Sequence, residues 1–141
     1  MQNYRRLAVW RKAHAVALNV HRLTQGIPRR DNAGLVSQLR RSALSIAANI
    51  AEGCGRATDP DFAKFLQIAV ASSTELEYHL EFAADAGNIP RIQFTSRQRE
   101  VIEVRRLLIG LLRPVRQTDR SPRPVSDSSL ARSSHAHGDR R

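Results

Sequence analysis

The sequence predicts an all-α fold, an antiparallel up-and-down four-helix bundle with a disordered C-terminal tail. Apolar residues recur at steps of three and four in four separate segments, as they do along one face of a helix. Glycine and proline separate these segments by short connections, which favour antiparallel neighbours. Apolar and polar residues nowhere alternate over a sustained stretch, so a sheet is not expected.

Helices one and two are defined by their apolar stripes and by the residues that end them. Gly26 and Pro28 stop helix one. Helix two lies in the segment 34–56, GLVSQLRRSALSIAANIAEGCGR, and we expect Gly53 or Gly55 to close it in a left-handed conformation. The stripe of helix one is Val9, Ala13, Val16, Val20 and Leu23, and that of helix two is Leu35, Leu39, Ala43, Ile46 and Ile50.

Helices three and four have candidate capping residues at their starts. Thr58 or Asp59 is expected to cap helix three, with Pro60 in its first turn. Thr95 and Gln98 fit a capping box for helix four. The stripe of helix three is Phe62, Leu66, Ala69, Ser73, Leu76, Leu80 and Ala83, and that of helix four is Val101, Val104, Leu108 and Leu111.

The domain organisation follows from a change in composition near Pro114. Residues 1–113 contain all four stripes and form one domain, which Pro114 closes. Residues 114–141 are rich in proline, serine and arginine and contain little apolar surface to bury. We therefore predict that 114–141 is a disordered basic tail.

The chain is strongly basic, with a formal net charge of +10 from 23 basic and 13 acidic residues. Arginine accounts for 21 of the 23 basic residues, which suits phosphate recognition but also agrees with a bias in genome composition. The tail contains six arginines and three aspartates, a net of +3, so +7 remains on residues 1–113. The basic character therefore belongs mainly to the folded part.

Several classes of protein find no support in the sequence. No apolar run approaches the ~18 residues of a membrane span, and the N-terminus does not resemble a signal peptide, so we expect a cytoplasmic protein without a membrane partner. Cys54 is the only cysteine and cannot form an internal disulfide. P-loop, GxSxG and HExxH motifs are missing, and His135 and His137 lack further ligands. We expect no enzyme, no cofactor and no metal.

Seven basic residues of the body are candidates for contact with RNA or DNA phosphates, a contact that gives affinity without sequence information. They are Arg5, Arg6, Arg11, Lys12, Arg40, Arg41 and Arg56. For Arg40 and Arg41 a second interpretation is favoured, in which they form ion pairs with helix three of the same or a neighbouring subunit. That helix contains a row of carboxylates, Glu77, Glu81 and Asp85, which repel one another unless basic groups lie opposite.

Six other residues are assigned to structural or subunit-interface roles: Trp10, Gln38, Asn49, Glu52, Glu75 and Glu77. Asn49 and Glu52 lie inside a helix, where Asn49 is unfavourable by propensity, so we expect each to make a specific hydrogen bond. Trp10 fits the core or an interface better than base stacking.

Three stretches of the chain resemble a known bacterial family. They are LAVWRKA in helix one, the segment 34–56 in helix two and FAKFL in helix three. The family is the four-helix-bundle proteins encoded by intervening sequences of large-subunit ribosomal RNA genes, and the accessory variability protein of diversity-generating retroelements resembles the same fold. This chain departs from the family pattern in helix three, where Val70-Ala71-Ser72 replaces the usual Arg-Gly-Ser step.

The resemblance implies a homopentamer of bundles arranged as a barrel. In the retroelement branch it also implies a basic surface that serves nucleic acid and a reverse transcriptase. Two hypotheses about function follow. The first is an oligomeric accessory protein that binds RNA or DNA. The second is a structural or protein-interaction scaffold without a role in nucleic-acid binding.

Overall fold

The computed structural model describes residues 2–119, with side chains as far as Pro114. Within this range the chain forms four long α-helices and no strand, as predicted. They are α1 (Ala8–Gln25), α2 (Ala33–Cys54), α3 (Asp59–Asp85) and α4 (Arg91–Asp119), preceded by a short 3-10 helix, Tyr4–Arg6. Each helix packs on the next along the chain, and α1 also packs on α4 to close the bundle. None of the described helices is long and apolar enough to cross a bilayer.

The core lies where the predicted stripes meet. Seventeen of the stripe residues are buried, and Leu39, Ile46, Ile50, Leu66, Leu76 and Leu108 are among the largest that are fully buried. Leu23, Leu35, Phe62 and Leu111 pack at the edge of the core and are half-buried. The periodicity of the sequence therefore predicts the buried face of every helix correctly.

Both ends of α3 are capped by recognisable motifs. Thr58 Oγ1 accepts a hydrogen bond from the Asp61 N–H at 3.3 Å, which confirms Thr58 as the cap. At the other end Gly87 has a φ of +81°, and the Asn88 N–H donates to the Ala83 carbonyl at 2.8 Å. This is the Schellman arrangement, in which a glycine without Cβ adopts the left-handed conformation.

The predicted role of Gly53 or Gly55 in a left-handed helix end is wrong. Gly55 follows α2 with a φ of −82°, and Gly53 lies inside the helix. A Cβ on Gly53 would lie 3.0 Å from Phe62 Cδ2 and 3.0 Å from Phe65 Cβ. Gly53 therefore allows a close approach between α2 and the first turns of α3.

Two predictions about α4 are also wrong. The helix begins at Arg91, directly after Pro90, so Thr95 and Gln98 lie inside it rather than in a capping box. Thr95 Oγ1 donates to the Arg91 carbonyl at 3.1 Å. Pro114 was expected to close the folded part, but it lies within α4. A proline removes one helical hydrogen bond and can kink a helix without ending it. The predicted tail beyond Asp119, residues 120–141, lies outside the described residues.

Candidate nucleic-acid interface

The basic residues predicted to bind nucleic acid lie at two separate ends of the bundle. The Gln2 N–H donates to the Cys54 carbonyl at 3.1 Å, which holds the start of the chain beside the end of α2. Five of the predicted residues lie at this end: Arg5, Arg6, Arg11, Lys12 and Arg56. Arg40 and Arg41 lie nearer the opposite end, about 20 Å along α2 from Cys54 by the rise of a helix.

At the first end, Arg11 and Lys12 are already bound to other groups of the protein. Arg11 Nη1 donates to the Arg6 carbonyl at 2.9 Å and to the Arg5 carbonyl at 3.2 Å, which satisfies the end of the 3-10 helix. Lys12 Nζ lies 2.5 Å from Glu103 Oε1 of α4. Lys12 is therefore ion-paired within the chain, and Arg11 bonds to the local backbone.

Arg56 is held by two contacts, and this also accounts for Glu52. Arg56 Nη2 donates to Glu52 Oε1 at 2.5 Å, one helical turn earlier, which confirms the specific hydrogen bond expected for Glu52. The Arg56 guanidinium also lies 4.6 Å from the centre of the Phe65 ring. Of the five residues at this end, Arg5, Arg6 and Arg11 have no carboxylate partner among the described side chains.

At the opposite end, Arg40 is anchored by a single hydrogen bond to a buried residue of α1. Arg40 Nε donates to Thr24 Oγ1 at 2.8 Å, and Thr24 is only 1% exposed. The Thr24 hydroxyl in turn donates to the His21 carbonyl at 2.9 Å. The half-buried guanidinium is thus held through Nε, and its two Nη atoms have no partner in the described part of the chain.

The predicted ion pairing of Arg40 and Arg41 with helix three within one chain is wrong. Neither arginine lies within 4.0 Å of a carboxylate oxygen among residues 2–114. The reason is the orientation of α3, whose Glu77 faces α4 and accepts from Arg105 Nη2 at 2.6 Å. Asp85 is paired with Arg91 at 2.6 Å. Pairing with a neighbouring subunit stays a prediction.

Arg40 and Arg41 share an open groove with Arg29, from the connection between α1 and α2. The groove has a volume of about 320 Å³ and no acidic residue lines it. Its lining residues are Arg29, Ala33, Val36, Ser37, Arg40, Arg41 and Leu44. We name Arg29, Arg30, Arg40 and Arg41 the basic end. The sequence interpretation missed Arg29 and Arg30, because helical periodicity says nothing about where a connection folds.

A second set of arginines was also missed, although its spacing is visible in the sequence. Arg99, Arg106 and Arg113 follow one another at intervals of seven residues on α4, so they lie on one face of the helix. All three are exposed, and none has a carboxylate partner in the part of the chain that the structure describes. They form a row of exposed basic side chains along α4.

Asn49 belongs to a polar seam between α2 and α3. Its Nδ2 donates to the Ser45 carbonyl at 2.7 Å and to Ser45 Oγ at 3.0 Å. Ser45 Oγ lies 2.8 Å from Ser72 Oγ on α3. The specific hydrogen bond expected for Asn49 is confirmed. It links the two helices through Ser45.

Glu77 is the centre of a polar network between α3 and α4. Gln98 Nε2 donates to Glu77 Oε2 at 2.9 Å, and Arg105 donates to Glu77 Oε1. The hydrogen bond from Gln98, followed by the bond and charge of Arg105, lowers the pKa of Glu77, against the opposing effect of burial. Glu77 therefore links α3 to α4 within a single chain.

The remaining predicted structural residues occupy less specific positions. Trp10 is half-buried and stacks on His14, with ring centres 5.0 Å apart, and meets Tyr4 edge-on at 4.9 Å. Gln38 has an exposed side chain, and its carbonyl accepts from Ser42 Oγ at 2.8 Å. Glu75 Oε1 lies 4.0 Å from His79 Nε2. No subunit contact of these residues is visible in a single chain.

The solvent side of α3 has an apolar stripe of its own, distinct from the one that enters the core. The stripe consists of the apolar residues Ile68, Ala71, Tyr78 and Phe82, with the exposed Glu75 between Ala71 and Tyr78, again at steps of three and four. Ile68 is 46% exposed, Tyr78 62% and Phe82 51%. We name these residues the outer stripe. Large exposed apolar side chains on one helix face are typical of a surface that contacts another protein.

Potential metal ligands do not cluster in the part of the chain that the structure describes. No group of three or more His, Cys, Asp or Glu side chains that could hold a metal ion occurs among them. Cys54 is buried, and burial raises the pKa of its thiol, which disfavours the reactive thiolate. His135 and His137 lie outside the described residues.

Comparison with known proteins assigns the fold to a family. A family model described as the 23S rRNA-intervening sequence protein matches residues 5–110. The chain belongs to this family. A crystal structure of a protein of unknown function from the S23 ribosomal protein family of Bacteroides thetaiotaomicron is similar to this member, with 29% sequence identity and a TM-score of 0.68. The similarity covers 74% of this chain and 98% of the Bacteroides chain. No protein with a curated description matches the chain.

Proposed function

We propose that this 23S rRNA-intervening sequence protein is a cytoplasmic, non-enzymatic accessory factor that binds the backbone of nucleic acid through its basic end. One observation carries the proposal. The four arginines of the basic end, Arg29, Arg30, Arg40 and Arg41, form no ion pair with the described side chains. Asp31 is the one acidic residue in the connection between α1 and α2, and it too forms no ion pair with them.

The chemistry of these side chains suits phosphate. A guanidinium offers a planar fork of donors that matches two phosphate oxygens. Arg40 is already oriented by Thr24, so less conformational freedom is lost when it binds. Lys12 and Arg56 contribute less to the proposed interface, because each is bonded to a glutamate.

The experiment is a salt titration of binding. A labelled single-stranded RNA and a labelled duplex DNA are titrated with the protein by fluorescence anisotropy at several salt concentrations. We expect binding that weakens with salt, and the double variant Arg40→Gln, Arg41→Gln to bind more weakly with a shallower salt slope, by about 0.7–0.9 for each lost phosphate contact. The matched control is the variant Lys12→Gln, Arg56→Gln, which we expect to bind nearly as the parent does. Absence of any complex at low salt would contradict the proposal.

We further propose that the protein acts as a homo-oligomer, assembled through the outer stripe of α3. Exposed Ile68, Tyr78 and Phe82 support this, since an apolar surface in water is stabilised by burial against another chain. The family resemblance supports a pentamer as the assembly. A reverse transcriptase as partner depends on the same resemblance, and a reverse-transcriptase gene with template and variable repeats beside this gene would be the observation that supports it.

A second candidate function is a protein-interaction scaffold without nucleic acid, which the outer stripe also supports. Under this hypothesis Arg40 and Arg41 would pair with carboxylates of a neighbouring subunit. Glu81, which has no ion-pair partner among the described side chains, would be a candidate. Light scattering of the Arg40→Gln, Arg41→Gln variant separates the two functions. A smaller particle supports the scaffold, whereas an unchanged particle with weaker nucleic-acid binding supports the accessory factor.

A further inference from the structure

We propose that the groove at the basic end holds one unstacked nucleotide of a single strand, with phosphate bound by Arg29, Arg40 and Arg41 and the base placed on Leu44. This inference rests on the proposed nucleic-acid function and adds a preference for single strands over duplex. It concerns the groove of about 320 Å³, a volume at the lower end of the range of small-ligand pockets, about 300–1,000 Å³.

The groove combines two chemical surfaces that a nucleotide needs. Arg29, Arg40 and Arg41 give it positive charge, and Ala33, Val36 and Leu44 give it an apolar wall. A site for inorganic phosphate alone would not require the apolar wall. A site for an apolar ligand would not require three arginines without an acidic neighbour in the lining. The pair of surfaces together fits a phosphate ester that bears a flat, weakly polar group.

The polar side of the groove is organised before any ligand arrives. Arg40 Nε is fixed on Thr24, which leaves the Nη atoms for the ligand. The groove also includes Ala33, the first residue of α2. The Asn32 side chain makes no capping hydrogen bond to this helix, and its Nδ2 donates to the Pro28 carbonyl at 2.9 Å. The positive end of α2 therefore adds to the field of the arginines.

The apolar side contains a large side chain exposed to water. Leu44 is 61% exposed, although it lies next to the charged side chains of the groove, whereas Val36 is 4% exposed and forms part of the core. A base placed on Leu44 would cover it and could also stack on an arginine plane. The bases of a duplex are stacked on one another and cannot reach this surface. A preference for single-stranded nucleic acid follows.

The test compares strands and a free nucleotide on the full chain. We use a labelled 12-nucleotide RNA, the duplex made from it, and adenosine monophosphate (AMP) as competitor. We expect the single strand to bind several-fold more tightly than the duplex at equal salt. We expect Leu44→Ser to weaken single-strand binding about threefold to tenfold and to leave duplex binding unchanged. The matched control is Ile92→Ser, which alters an apolar side chain that is 74% exposed and lies outside the groove.

Each outcome has a separate meaning. Equal binding of single strand and duplex, with no effect of Leu44→Ser, overturns the nucleotide groove but leaves the proposed backbone-binding function standing. Absence of nucleic-acid binding, together with AMP binding that Leu44→Ser weakens, overturns the proposed function and identifies a free nucleotide as the ligand of the groove. Binding of neither strand nor AMP overturns both. Circular dichroism of each variant verifies that the helices are intact.

Discussion

Arg105 of α4 reaches across the bundle to Glu77 of α3, where Arg105 Nη2 lies 2.6 Å from Glu77 Oε1. Each of the two side chains is 22% exposed. Among the described ion pairs only Arg97 and Glu100, which lie three residues apart on α4, are similarly buried, with 18% and 33% of their side chains exposed. Arg105 also donates to Ser73 Oγ at 3.0 Å and to the Ser73 carbonyl at 3.2 Å. One side chain thus satisfies three acceptors on a single helix.

Replacing Arg105 should therefore cost more than replacing an exposed arginine. Arg105→Ala leaves Glu77 and the buried Ser73 short of partners, and we expect a loss of about 1–3 kcal/mol in the free energy of unfolding. Arg91→Ala is the matched control, because Arg91 and Asp85 are both about 60% exposed, and it should cost less than about 1 kcal/mol. Urea denaturation of both variants measures the difference. Equal losses would show that the network is not a significant source of stability.

The lowered pKa of Glu77 predicts a dependence of stability on acid. The carboxyl is more acidic in the folded chain than in the unfolded one, so its contribution is present in full above the unfolded value of about 4.3 and is lost as pH falls through the lower folded value. Glu77→Gln removes this titration.

Thermal melting between about pH 6 and pH 2 tests the prediction. The variant should be less stable than the parent at neutral pH and should lose less stability on acidification. Glu81→Gln is the control for removal of one carboxylate from α3, since Glu81 is exposed and makes no ion pair with the described side chains. The same pH dependence in the Glu77 variant and the parent would contradict the assignment.

Gly53 and Gly110 should respond in opposite directions to the same substitution. Gly53→Ala gains helix propensity but places a Cβ 3.0 Å from Phe65 Cβ, which belongs to a side chain fixed close to the backbone. We expect a net loss of about 1–3 kcal/mol from overpacking. Gly110→Ala meets nothing within 4 Å in the interior of α4, so it should stabilise by about 0.5–1 kcal/mol. A stabilised Gly53→Ala protein in urea denaturation would refute the close packing of α2 and α3.

Thr24 should affect nucleic-acid binding without contacting nucleic acid. Thr24→Val keeps the shape of a buried side chain and removes the oxygen that holds Arg40 Nε. No charge is lost, so the salt slope should be unchanged while the affinity falls about threefold to tenfold, because Arg40 is no longer oriented. Thr95→Val is the control, since Thr95 bonds only locally to the Arg91 carbonyl. Unchanged affinity in the Thr24 variant would show that orientation of Arg40 is unimportant.

The outer stripe predicts an assembly that apolar-to-polar substitution should weaken. The double variant Tyr78→Ser, Phe82→Ser should reduce the particle mass measured by light scattering, while each subunit keeps its helices, because both side chains are more than half exposed. Ile92→Ser alters a comparably exposed residue at the start of α4 and should leave the mass unchanged. A monomeric parent protein would refute the proposed oligomer.

The sequence predicted the fold well because periodicity is a local signal that survives in every helix. Steps of three and four located the buried faces, and Thr58 marked a helix start through its own side chain. Helix ends that depend on packing between helices, such as the end of α2, were predicted less well. Gly53 looked like a terminator, but its role depends on Phe62 and Phe65 across the interface, which a helical pattern does not contain.

The candidate site was harder to predict for the same reason. Charge counting indicated a basic protein, but it could not show which basic residues are paired. Lys12 pairs with Glu103 of α4, whereas Arg41 has no such partner among the described side chains. The carboxylate of Glu77 was expected to face α2, whereas the bundle turns it toward α4. Arg29 entered the site through the fold of a connection.

Gly53 also affects how relatives of this chain should be compared. The segment NIAEG ends in a residue whose absent side chain sets the spacing of two helices, so the segment reports on geometry rather than on chemistry. A search based on this segment would therefore select for a helix spacing and would place no requirement on the surface. To sort such proteins by function, one would compare the residues that line the groove, which include Arg29, Arg41 and Leu44. Exposed residues of this kind can change without altering the packing of the bundle.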